Sequence, residues 1–252
     1  MYIDTHFHLS KEDYKDIDLV ISEALENEVN QLIISGCDKK GIIEGLDYIS
    51  KFDNVYMTVG FHPEYCEEIT SEDILWLEKI IKENKKIVGV GEIGLDYYYT
   101  KDNKTKQLEV FTSLLDLAAK LNMPVVIHSR DAFMDTYETL KKYNLKGVIH
   151  CFTSNIENAN KYISLGYYLG IGGVLTFKNS NLKDVIQQIS LDNIVLETDS
   201  PYLSPEPYRG KVNGPKNIPL IALKIAQIKD LSVDDVSNVT TKNACSLFDL
   251  NI

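Results

Sequence analysis

Four cysteines are all this chain of 252 residues has, and they stand far apart at Cys37, Cys66, Cys151 and Cys245. With no Cys-x-x-Cys pair, a disulfide framework or a structural zinc knuckle is not expected. Arginine is scarcer still: of 26 basic residues only Arg130 and Arg209 are arginine. A formal net charge of −11 argues against a protein that coats duplex nucleic acid, because nonspecific affinity comes mainly from neutralising phosphates. A locally positive pocket admitting one strand end remains compatible with that charge. No apolar stretch approaches the roughly 18 residues needed to cross a bilayer, so no membrane partner is expected, and nothing points to an obligate protein partner. His6 and His8 lie almost at the first methionine, which leaves no room for a signal peptide. The N-terminus is therefore expected to belong to the fold and the chain to be cytoplasmic.

Against these scarcities stands an ordered pattern. Apolar runs bounded by Gly, Pro or polar residues give eight strand candidates, near 2–6, 31–36, 55–60, 87–92, 124–128, 147–151, 168–172 and 194–199. Helical periodicity marks 38–50, 72–84, 105–121, 131–142, 155–165, 181–189, 216–229 and 232–248. In 105–121, for example, Leu108, Phe111, Leu114, Leu115 and Ala118 form an apolar stripe. Alternation of this kind indicates a parallel sheet covered by helices. Eight repeats in 252 residues favour an α/β fold of the (β/α)8 TIM-barrel type, as one domain over 1–252. The longest irregular stretches are 96–104 and 200–217.

Residues of metal-ligand type end these strands. They are His6 and His8 on the first, Glu92 on the fourth, His128 on the fifth, His150 on the sixth and Asp199 on the eighth; His62 follows the third. The chain has only five histidines, and scatter over a soluble surface would not place all of them so. A barrel draws its active site from several strand ends, whereas an open sheet gathers only those beside one crevice. Alternation puts Asp4, His6 and His8 on one face of the first strand, with Asp4 suited to orienting a ligand. Cys151, next to His150, is expected to point the other way. Six ligands exceed the needs of one tetrahedral ion, so two divalent ions are expected. His6, His8, Glu92 and Asp199 are assigned to one and Glu92, His128 and His150 to the other, with Glu92 as bridge. Such a centre would attract anions and stabilise a phosphoryl transition state.

Six segments together resemble the TatD-type metal-dependent deoxyribonucleases of the amidohydrolase superfamily. They are Ile-Asp-Thr-His-Phe-His-Leu (3–9), Gly-Phe-His-Pro (60–63), Gly-Glu-Ile-Gly-Leu-Asp (91–96), Ile-His-Ser-Arg (127–130), His-Cys-Phe (150–152) and Glu-Thr-Asp-Ser-Pro-Tyr-Leu (197–203). They follow the family's order over almost the whole chain, with no departure at a ligand position. The resemblance implies a TIM-barrel hydrolase of phosphodiester bonds, a 3′-to-5′ exonuclease on single-stranded DNA supported by Mg²⁺ or Mn²⁺. It implies attack by a metal-bound water on the terminal phosphodiester, with Asp199 and Glu92 catalytic and Asp199 accepting the proton. Imidazoles also suit zinc, iron or nickel, so the ion in purified protein can differ from the one that supports turnover.

Substrate contacts are read more loosely. His62 fits a phosphate or substrate contact as well as a packing role, and Arg130, two residues past His128, a phosphate clamp or a surface ion pair. Glu197 shares parity with Asp199 and is placed to orient a ligand. Tyr97, Tyr98 and Tyr99, and Tyr202 and Tyr208 on the last long loop, offer rings for stacking on an unpaired base or for packing on the protein itself. Arg209, Lys211 and Lys216 could gather a phosphate tail, although for the lysines a solvated face is preferred. Three rival functions remain open. Relatives acting on cyclic amides, lactones or phosphotriesters often bridge their metals with a carboxylated lysine, where this chain has Glu92. An editing deacylase acting on D-aminoacyl-tRNA would use the same metal pair on an ester. A non-catalytic scaffold would tolerate loss of a ligand, and none is lost.

Overall fold

The computed structural model describes residues 1–98 and 100–250. Its strands are β1 (Tyr2–Phe7), β2 (Val29–Gly36), β3 (Val55–Val59), β4 (Ile87–Asp96), β5 (Val125–Arg130), β6 (Gly147–Ile149), β7 (Tyr167–Ile171) and β8 (Ile194–Leu196). Its helices are α1 (Ile17–Glu26), α2 (Lys39–Lys51), α3 (Ser71–Glu83), α4 (Lys104–Leu121), α5 (Phe133–Leu140), α6 (Ile156–Ser164), α7 (Leu182–Gln188), α8 (Ile218–Lys229) and α9 (Val233–Phe248). The strands form one eight-stranded sheet in sequence order. The pairs β1–β2, β3–β4, β4–β5, β5–β6 and β7–β8 are parallel. The fold class is the (β/α)8 TIM barrel expected from the sequence. By contacts the chain divides into two compact units, Met1–Ile34 with Cys151–Ile252, and Ser35–His150.

In the first unit β1 is buried along its whole length, polar positions included. A parallel strand covered on both sides is usually a near-continuous apolar run; here Asp4, Thr5 and His6 interrupt it. Val29, Leu32, Leu169, Ile171, Ile194 and Val195 pack with it, beside Ile221, Ala222 and Ile225 of α8 and Val236 of α9. In the second unit Val55, Met57 and Val59 of β3, Val90 and Ile93 of β4 and Val125, Val126 and Ile127 of β5 form the core with Leu114 and Leu115 of α4.

Helix starts follow capping chemistry. Asp38 accepts the Gly41 N–H at 2.7 Å, Asn155 that of Asn158 at 2.9 Å and Ser232 that of Asp235 at 3.0 Å. At α3, Asp73 accepts both the N–H and the hydroxyl of Thr70 and is paired with Lys39. The sequence reading missed α1. Its cap is present, with Asp16 accepting the Leu19 N–H at 3.0 Å. Its apolar residues do not mark one face, however: Leu19 and Leu25 are exposed while Ile21 and Ala24 are buried. Among the described residues, no helix is long and apolar enough to cross a membrane.

Strand ends differ from expectation where the site lies. β4 runs four residues beyond Glu92, because Ile93, Gly94, Leu95 and Asp96 stay in register with Ile127, His128, Ser129 and Arg130 of β5. β6 stops at Ile149 and β8 at Leu196, and Cys151 and Asp199, both expected within strands, adopt left-handed backbones with φ of 45° and 52°. Gly94 is the hinge of the β4–β5 register. Its φ is +151°, and a Cβ there would lie 1.9 Å from the His128 carbonyl oxygen. Gly94→Ala should therefore lower stability by about 3 kcal/mol or more. Urea unfolding tests this; a midpoint equal to the parent's would show that β4 and β5 do not need the close approach.

Candidate metal centre

In the first unit the site is built on β1 and on the turn after β8. His6 and His8 lie two residues apart on the first strand and its end. The Asp199 N–H donates to the His6 carbonyl at 3.0 Å, and the His8 N–H to the Ser200 carbonyl at 2.7 Å. This brings Asp199 Oδ1 to 3.4 Å from His8 Nε2 and 3.8 Å from His6 Nε2. Two donors on one ion, each at about 2.1 Å, stand about 3.0–3.4 Å apart, so the three side chains need move little to share a cation. His6 is fully buried, whereas His8 and Asp199 reach solvent.

Asp4 holds the backbone of β1 and Thr198. Fully buried, it accepts from the N–H groups of His6 (3.2 Å) and Thr198 (3.0 Å) and from the Thr198 hydroxyl (2.6 Å). Burial lifts its pKa to about 8 despite these three donors. Glu197, also fully buried, accepts the Cys151 N–H at 2.6 Å. Gly170 makes room for it, since a Cβ at 170 would lie 2.1 Å from Glu197 Oε2.

In the second unit the donors converge on one oxygen. Glu92 Oε1 lies 2.7 Å from His128 Nδ1, 3.6 Å from His150 Nε2 and 3.8 Å from His62 Nε2. Glu92, His128 and His150 offer ligand atoms close enough for one ion, and so do His62, Asp96 and His128. His62 precedes the short 3-10 helix Pro63–Glu68, and its Nδ1 accepts the Glu64 N–H at 3.3 Å. The neutral ring then carries its proton on Nε2, which makes it a donor toward an anion.

Two residues of this cluster escaped the sequence reading. Asp96 Oδ2 lies 3.0 Å from His128 Nε2, so His128 stands between two carboxylates. The signal was parity: Asp96 is four residues past Glu92 on one strand, but the sequence places that strand's end at Glu92. Cys37 donates its thiol to Glu92 Oε2 at 3.4 Å, and only three-dimensional proximity reveals it. Burial opposes charge on both members of the Asp96–His128 pair, but their bond outweighs it. His128, held also by Glu92, titrates above the usual histidine value, and Asp96, helped by the Tyr98 N–H and the Arg130 charge, below the usual carboxylate value.

The expected substrate contacts divide. Arg130 stacks its guanidinium 3.7 Å from the centre of the exposed Tyr98 ring. Tyr97 is unavailable for stacking on a base: it is buried, its hydroxyl donates to Asp135 at 2.9 Å, and Lys104 lies over its ring. Tyr99 lies outside the described residues. Tyr202 is 58% exposed and meets the His8 ring edge-on at 6.0 Å. Arg209 stacks on Phe177 at 3.8 Å and donates to the Ser204 carbonyl. Lys216 pairs with Glu23 at 2.7 Å.

Comparison with known proteins places this arrangement. Residues 3–249 match the family described as TatD related DNase. The chain is 37% identical over 256 residues to the metal-dependent hydrolase YabD of Bacillus subtilis, covering 100% of each. It is 32% identical to a metal-dependent hydrolase of Methanocaldococcus jannaschii, over 98% of this chain and 96% of that one. The crystal structure of the Escherichia coli TatD homologue YJJV superposes with a TM-score of 0.91 at 25% identity, covering 99% and 98%. A TatD-family hydrolase of Entamoeba histolytica gives 0.85 at 28%, covering 98% and 97%.

Protons and a divalent cation should compete for His128. Its raised pKa stabilises metal-free protein fully below about pH 6.5, and that contribution fades as pH rises through the raised value. Asp4 acts in the same direction up to about pH 8, its carboxyl being protonated more readily when folded. In EDTA, stability should therefore fall between about pH 6.5 and 8. Mn²⁺ affinity should rise over the same range, by up to about tenfold per pH unit for each proton displaced. His128→Asn should flatten part of both trends, measured by thermal unfolding and Mn²⁺ titration; unchanged slopes would remove His128 as the competing ligand.

Proposed function

Because the chain belongs to the family of TatD-related DNases and is a metal-dependent hydrolase, we propose that it hydrolyses phosphodiester bonds as a 3′-to-5′ exodeoxyribonuclease on single-stranded DNA. The observation that carries the reading is the donor chemistry: histidines and carboxylates gathered around Asp199 Oδ1 in one unit and Glu92 Oε1 in the other. In this reading His6, His8 and Asp199 would hold one divalent ion, and Glu92, His128 and His150 another. Such ions, when bound, acidify water and neutralise charge on a phosphoryl group.

The chain's own residues supply the rest. Asp199 accepts the proton of the attacking water as the new P–O bond forms and the 3′ P–O bond breaks, and it returns that proton to the leaving oxygen. The His62 Nε2–H donates to a phosphate oxygen. Arg130, its plane fixed by Tyr98, matches a second pair of phosphate oxygens with its fork of donors. Tyr202 stacks on the terminal base, and Arg209 meets the preceding phosphate. Few arginines suffice, because an enzyme that holds one strand end needs charge at one place only.

The test is digestion of a 5′-labelled single-stranded oligonucleotide in Mg²⁺ or Mn²⁺. A ladder shortening from the 3′ end is expected, lost in EDTA and reduced by about 10²-fold or more in Asp199→Asn. Glu92→Ala should lower the bound metal measured by elemental analysis, and parental metal content would remove Glu92 as a ligand. An intact oligonucleotide from metal-loaded protein would sink the nuclease reading in favour of ester hydrolysis on aminoacyl-tRNA.

A further inference from the structure

We propose that Asn213 is a positioning residue for Asp199, a role that rests on the reading of Asp199 as ligand and proton acceptor. Asp199 lies outside regular structure: β8 ends at Leu196, and Asp199 itself is left-handed at φ 52°. The arc 198–202 lies past the end of β8 and is held by individual bonds. Two main-chain bonds, to His6 and from His8, hold one side of it. Asp4 holds Thr198 at its start, and one further side chain spans the arc. Asn213 Nδ2 donates to the Thr198 carbonyl at 2.9 Å and to the Tyr202 carbonyl at 2.7 Å, and so clamps the arc on both flanks of Asp199.

The clamp is itself immobilised. Asn213 Oδ1 accepts from the Gly214 N–H at 2.9 Å and from Asn217 Nδ2 at 2.8 Å. Its main-chain N–H donates to the Pro201 carbonyl at 3.0 Å, and its carbonyl accepts the Tyr14 hydroxyl at 2.9 Å. The side chain therefore uses both of its donors and both lone pairs of its oxygen, at 1% exposure. An isosteric aspartate would offer no donor when ionised, and a leucine would leave two buried carbonyls unbonded. Only the amide fits the site. Through the clamp, Asn213 sets the 3.4 Å and 3.8 Å separations between Asp199 Oδ1 and the two imidazoles, which is the work of an outer-shell residue.

A matched control sits at the opposite end of the same strand. Asn243 of α9 donates from Nδ2 to the carbonyls of Leu191 at 2.9 Å and Ile194 at 2.7 Å. It is the same bond pair, remote from Asp199. Asn213→Ala and Asn243→Ala should lose comparable stability in thermal unfolding. Only Asn213→Ala should weaken Mn²⁺ binding, by about tenfold or more, and lower kcat on the oligonucleotide with KM little changed. Equal Mn²⁺ affinities in the two variants would overturn the proposal. If Asn213→Ala does not fold, Tyr14→Phe, which removes one anchor of the clamp, should weaken Mn²⁺ a few-fold, and parental affinity there would overturn it equally. Mn²⁺ titration needs no substrate. A parent that fails to cut DNA thus refutes the nuclease reading, while the metal arm still decides the role of Asn213.

Discussion

A carboxylate with no access to water, Asp4, is the constraint on which half of this site depends. A buried carboxyl group is tolerated only with bonds to match, and Asp4 finds three, from the backbone of His6 and from Thr198. Those bonds tie the first strand to the segment after the last strand of the sheet. His6, His8 and Asp199 are thereby presented from two places far apart in sequence yet fixed to one anchor. The left-handed turn at Asp199 follows, since the chain must leave strand geometry there to keep Thr198 on Asp4 and the Asp199 N–H on the His6 carbonyl.

The second unit solves a different problem. Glu92 and Asp96 sit on one strand with their charges facing the same space, and His128 lies between them, a nitrogen on each. Two carboxylates so placed repel unless something positive stands between. A proton on His128 does this in part, and a divalent ion would do it better. The arrangement therefore favours cations on electrostatic grounds, before any particular ligand geometry is considered. Gly94 makes it possible by letting the strand that carries both carboxylates approach the backbone of the strand that carries His128.

How much of this could be read in advance follows from where each signal lies. Strands buried on both sides announce themselves as apolar runs, and ligands at their ends stand out because histidine is rare in this chain. The first helix was illegible because two of its leucines face water. Asp96 was illegible because the sequence places that strand's end at Glu92, four residues short of it. Tyr97 looked like a stacking ring because nothing local reveals that Asp135 takes its hydroxyl. Asn213 lay in a loop read for its charges and its rings, since a side chain that satisfies carbonyls eleven and fifteen residues away leaves no periodic trace.

Gly170 and Glu197 carry a consequence for how such a chain can drift. The carboxylate occupies the volume that a Cβ at 170 would need, and it accepts the Cys151 N–H. A side chain at 170 would displace the Glu197 carboxylate from the Cys151 N–H, and shortening 197 would remove the same bond. Each single step passes through a less fit intermediate, so the two positions behave as one inherited unit and should be exchanged between lineages only together.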